Sequence, residues 1–93
     1  MKIKIFTTAD VDQYYKQEIE YLEDIDDRNS DEEADYQNFK NMQSYLNNLT
    51  TRNIELETIE ELSNLLREIE SYDFTTKVWT NSNHSLTVVV DLE

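Results

Sequence analysis

Apolar residues recur along this chain at two distinct spacings, and the spacings predict its elements. Lys2–Thr7 alternates polar and apolar, with Ile3 and Ile5 on one side and Lys2 and Lys4 on the other, as a half-buried strand requires. Over 9–27 the step changes to three or four residues. Val11, Tyr15, Ile19, Leu22 and Ile25 or Asp26 then fall on one face of a helix. Thr8 is placed to cap that helix, and Asp10 stands in its first turn, where the helix dipole favours an acid. Asn29-Ser30 interrupts the periodicity. Ser30 with Glu33 has the form of a capping box and predicts a second helix over 31–49, with Tyr36, Phe39, Met42 or Gln43, Leu46 and Leu49 on its apolar face.

Beyond a polar linker, alternation over 54–57 predicts a short strand. Thr58 and Glu61 form another capping box, and the helix they predict over 59–71 carries Ile59, Leu62, Leu65, Leu66 and Ile69. Phe74–Thr80 and Leu86–Leu92 are rich in β-branched and aromatic residues and flank Asn81-Ser82-Asn83-His84, which reads as a hairpin loop. Leu86, Val88, Val90 and Leu92 share one face. Val89 and Trp79 share the other, so Trp79 is expected to be at least half buried under a helix or a partner. The resulting order, β-α-α-β-α-β-β over residues 1–93, predicts a single α+β domain: a small sheet with about three helices on one face.

Composition changes this picture in three places. The chain contains no glycine and no proline, so backbone positions with positive φ fall to Asn or Asp. It contains no cysteine, which removes disulfides, thiol chemistry and any His/Cys metal site. No apolar run reaches signal-peptide length or the ~20 residues of a membrane span, which predicts a soluble cytoplasmic protein.

Charge carries the functional signal. The net charge is −13, and ten of the eighteen residues over 18–35 are acidic, with Arg28 the one cation among them. A chain so charged repels DNA, RNA and anionic membranes and attracts basic partners. Three carboxylates of this run, Asp31, Glu32 and Glu33, are accounted for by the start of a helix. If the run were in line, helix rise would spread its acids over roughly 27 Å, one per ~2.7 Å against one per ~1.7 Å of duplex DNA. The exposed acids Glu20, Glu23, Asp24, Asp27, Asp31, Glu32 and Asp35, with Tyr14 and Tyr21 beside them, are the candidate partner-binding residues, because acids steer encounter with a basic protein and tyrosines supply interface anchors.

Other chemistry has less support. Asp24, Asp26 and Asp35 fall at the first, third and twelfth places of an EF-hand loop, but Arg28 occupies a ligand place and Asn29 the glycine place. Paired acid and base carboxylates need a buried pocket, which these solvated acids lack. His84, the single histidine, falls in a turn with no triad around it. No enzyme activity, metal or cofactor is expected.

Small size, acidity and absence of cysteine together make the chain similar to the phage-encoded acidic DNA-mimic inhibitors of anti-CRISPR and anti-restriction type. The resemblance is one of composition over the whole chain and transfers no site residue. It implies an inhibitor that fills the nucleic-acid-binding surface of a host nuclease or defence protein. The alternatives are an immunity- or antitoxin-like protein or adaptor that binds one basic partner without imitating DNA, and an acidic domain with an assembly role.

Overall fold

The computed structural model describes residues Met1–Glu93. Seven elements follow one another: β1 (Lys2–Thr7), α1 (Ala9–Glu23), α2 (Ser30–Thr51), β2 (Ile54–Glu55), α3 (Ile59–Glu70), β3 (Phe74–Thr80) and β4 (Leu86–Leu92). The α+β class and the element order follow the hydrophobic pattern. The sheet has the strand order β2-β1-β4-β3. β1 pairs antiparallel with β2 and parallel with β4, and β3 and β4 form the C-terminal antiparallel hairpin.

Alternation decides which side of the sheet is dry. Ile3, Ile5, Ile54, Phe74, Val88 and Val90 point to one face, where Val11, Tyr15, Leu46, Leu49, Leu62 and Ile69 of the three helices meet them in one core. The opposite face carries no helix. Trp79 is half buried, at 50% exposure, but without helical cover, so of the two covers expected for it only a partner is left. Ile59 departs from its expected place in the core. It is the first residue of α3, outside the part of the helix that reaches the sheet, and is 69% exposed.

Five boundaries move: α2 runs on to Thr51 and α3 stops at Glu70, and the other three shift for local reasons. α1 stops at Glu23, four residues before the end predicted for it. Carboxylates at 24, 26 and 27 would oppose the negative end of the helix dipole, and Asp is a weak helix former. α2 starts at Ser30, with Asn29 rather than Ser30 as the cap: the Asn29 side chain accepts from Glu32 N at 2.8 Å, and Glu32 accepts from Asn29 N at 3.1 Å. β2 contains Ile54 and Glu55 and not 56–57, although Leu56 N still donates to the Met1 carbonyl at 2.9 Å. At α3, Thr58 accepts from Glu61 N at 3.1 Å, while the Glu61 carboxylate accepts from Glu57 N and not from Thr58. Positive φ occurs at Asp73 (67°) and His84 (64°), so one of the two left-handed positions falls to a histidine and neither to an asparagine.

Candidate functional site

α1 and α2 form a hairpin. Near its end the Tyr36 hydroxyl donates to Glu23 at 3.2 Å. Further back Phe39 packs edge-on against Tyr14 and Tyr15, at centroid distances of 5.9 and 5.8 Å. α2 thus returns antiparallel along α1, and the acidic run does not lie in line. Its carboxylates gather around the hairpin tip instead. Tyr15, Leu46 and Leu49 anchor the base of the hairpin in the sheet core, whereas Ile19 and Leu22 are buried outside that core. The molecule measures 51 × 22 × 22 Å. No strand exceeds seven residues, about 23 Å. The helical hairpin, with α2 roughly 33 Å long, therefore sets the long dimension and carries the tip to one end.

One cation closes the turn from within. Arg28 donates to the Leu22 carbonyl at 2.9 Å in the last turn of α1, a carbonyl that Ile25 N also reaches at 3.3 Å. Its Nε donates to Glu33 at 2.7 Å in the only ion pair of the chain. Its guanidinium lies 4.2 Å from the centroid of the Tyr36 ring, which Lys40 also approaches at 5.0 Å. The Arg28 hydrogen bond, with a second from Gln37, holds the Glu33 carboxyl below the usual carboxylate range. The same bond raises the guanidinium further above its ordinary value. In the sequence alone Arg28 counts against calcium and stands as the one cation of the acidic run. Its isolation among ten acids was the signal that it serves them structurally.

The candidate residues separate on this geometry. Glu20, Asp24, Asp27, Asp31 and Asp35 are exposed, and their carboxylates carry no hydrogen bond. Glu23 is exposed but tethered to Tyr36. Glu32 is half-buried and is committed to the helix cap, so it belongs to the hairpin's own structure. Tyr21 is 65% exposed, with Glu18 and Asp24 three residues away on either side along the helix. Tyr14 is 39% exposed, lies two turns back towards the sheet, and packs against Tyr15 and Phe39, so it is not at the tip.

No three acidic or imidazole side chains converge to hold a cation, and Asp24, Asp26 and Asp35 do not form a loop of ligands. A polar cleft of about 580 Å³ lies between the bases of α1 and α2, where Thr7 donates to Asp12 at 2.7 Å beside Lys16, Gln43 and Asn47. His84 is exposed in the β3–β4 turn. No helix is long and apolar enough to cross a membrane. No family model, curated protein or solved structure matches the chain.

Proposed function

We propose that this protein is a DNA-mimic inhibitor whose acidic hairpin tip enters and blocks the basic nucleic-acid-binding groove of a nuclease or defence protein, in the cytoplasm of the host cell. The observation that carries the reading is the unneutralised tip: ten carboxylates over 18–35 and one cation, which is turned inward onto Leu22, Glu33 and Tyr36. Such a concentration costs stability through self-repulsion. A projecting helical end presents it where a groove can receive it. The antiparallel return also sets acids of two helices side by side. Packed helix axes lie ~8–10 Å apart, between the ~6 Å and ~12 Å widths of the B-DNA grooves. Tyr21, exposed among acids, supplies an aromatic anchor of the kind that dominates interface energetics.

The same return of α2 along α1 favours a second reading. It breaks the continuous row of charge that a long stretch of duplex would present. A compact acidic knob also suits an immunity-like protein or adaptor that binds one basic surface without copying DNA. Competition separates the two: duplex DNA displaces a mimic from its target and leaves an adaptor bound.

The test is a salt-eluted capture of the target on the immobilised protein, followed by association kinetics with the purified pair. Association is expected to be fast and to slow steeply with ionic strength. The triple variant Glu20→Lys, Asp24→Lys, Asp27→Lys is expected to abolish binding. Single Ala substitutions there cost only ~0.2–1 kcal/mol each. Glu57→Lys, Glu60→Lys, Glu68→Lys changes net charge by the same amount and is expected to weaken binding far less. Equal losses from the two triple variants would mean that net charge alone draws the partner, and the tip would lose its role.

A further inference from the structure

The uncovered face of the sheet has a chemistry opposite to that of the tip. β1 turns Lys2, Lys4 and Phe6 to it, β4 turns Thr87, Val89 and Asp91, and β3 turns Thr75, Lys77 and Trp79. Register places Phe6, Val89 and Lys77 in one row and Lys4, Thr87 and Trp79 in the next. Two rings thus hold one diagonal of a square and two ammonium groups hold the other, with Val89 and Thr87 between them. Phe6 is 51% exposed, much as Trp79 is. Neither ring belongs to any of the aromatic or cation–π pairs, which lie on the helices and under them. Lys2, Lys4 and Lys77 make no ion pair in a chain with 21 carboxylates. Of the two acids on this face, Asp91 already accepts from Thr8 Oγ1 and from Leu92 N, both at 2.8 Å, and Glu55 stands opposite Lys2 at the edge. A cleft of about 520 Å³ opens beside the face, lined among others by Lys2, Lys4, Arg52 and Asn83.

We propose that this face binds single-stranded nucleic acid, with bases stacked on Phe6 and Trp79 and phosphates held by Lys2, Lys4 and Lys77. Unpaired rings interleaved with unpaired cations are what a single strand requires, since every base has a π-face and every linkage a charge. The rings lie two strands and two residues apart, roughly 12 Å, against the ~3.4 Å between stacked neighbours in a duplex. A strand that reaches both must splay its bases, which a single strand allows and a duplex does not. The net charge of −13 does not veto the contact, because its densest part is remote. The tip lies roughly 20 Å away, from helix rise and the depth of the core layer, and charges are screened over ~8 Å at physiological salt. A second copy's tip is a poorer occupant. The end of a molecule 22 × 22 Å across offers less than the ~800 Å² per partner of a stable complex.

The inference is independent of the tip's role, and the protein carries its own reporter, because Trp79 is the only tryptophan. A thymidine 12-mer titrated at low salt is expected to quench Trp79 emission saturably. Its binding is expected to weaken with salt at a log–log slope of about −2, from three lysines at ~0.7 each. Lys4→Gln with Lys77→Gln is expected to raise Kd at least about tenfold and to remove most of that slope. Phe6→Leu, at a half-exposed position, is expected to raise Kd several-fold while the melt stays cooperative. Neutralising the tip with Glu20→Gln, Asp24→Asn, Asp27→Asn is expected to leave Kd within about twofold, since the tip lies beyond two screening lengths. The proposal is overturned by an absence of quenching, by equal quenching from a 12-base-pair duplex, or by equal quenching from polyglutamate. The last outcome would reassign the face to an acidic protein segment.

Discussion

Arg28 reaches a carbonyl at the end of one helix, a carboxylate at the start of the next and the face of an aromatic ring, all within the hairpin turn. Arg28→Met is expected to lower Tm by several degrees at neutral pH. The pH dependence has a definite sign. The Glu33 carboxyl is held below its ordinary range in the folded state, so its contribution is present above that range and is lost as pH falls through the lowered value. Thermal melts should therefore show the wild type and Arg28→Met converging in acid. Constant separation down to low pH would show that the carbonyl and ring contacts, not the ion pair, do the holding. Tyr45 presents the opposite case. Its hydroxyl oxygen is buried without a hydrogen-bond partner, and that burial pushes its pKa to about 12, with Glu68 and Tyr72 adding to the effect. Burial raises Tyr15 too. A tyrosine raised by burial leaves stability unchanged below its ordinary value near 10 and takes stability away as pH climbs from there through the folded value, because the fold disfavours the phenolate. Tyr45→Phe is expected to stabilise by about 1 kcal/mol at neutral pH, since it removes an unpaired polar atom. Its denaturation midpoint should also fall less than that of the wild type at about pH 11.

The elements were legible wherever a period of two or three to four residues ran unbroken, as in Lys2–Thr7 and over the Leu62–Ile69 part of α3. Legibility failed where the deciding partner lay elsewhere in the chain. Periodicity assigns Ile59 and Ile69 to one helical face, but only the second lies over the sheet. Ile69→Ala is expected to cost ~2–5 kcal/mol and Ile59→Ser less than ~0.5, a contrast that denaturant melts can read. Alternation likewise puts Trp79 on the face opposite Val88 without revealing that all three helices pack on the other side. The acidic run was plain in the sequence as composition. Its return at Asn29 was not, because a capping signal marks where a helix starts and not the direction it takes. Of the candidate residues, Glu20, Asp24, Asp27 and Tyr21 are exposed at the tip, Glu32 turned out to be a cap, and Tyr14 lies in the hairpin seam.

At the scale of the molecule, charge is sorted by end and by face. Twenty-one carboxylates share one ion pair, so the surface repels itself at neutral pH. Screening relieves that repulsion, and Tm is expected to rise as NaCl is added up to a few tenths molar, where the Debye length is only several ångströms. A falling Tm over that range would show that the Arg28–Glu33 pair outweighs the repulsion. The sheet imposes a different constraint, one of time. β1 lies inside the sheet, yet its parallel neighbour is the last strand, and Thr8 donates to Asp91 across 83 residues of chain. At ~5–20 residues per second, the ribosome delivers β4 roughly 4 to 17 seconds after β1. In that interval the α1–α2 hairpin has its partners at hand, helices forming in about a microsecond, while β1 can meet only the two-residue β2. The acidic arm is thus born first, while Ile3 and Ile5 wait for their neighbours on β4. Lys2 and Lys4, alternating with them, act as gatekeepers of the waiting strand, keeping the nascent chain from aggregating until β4 emerges.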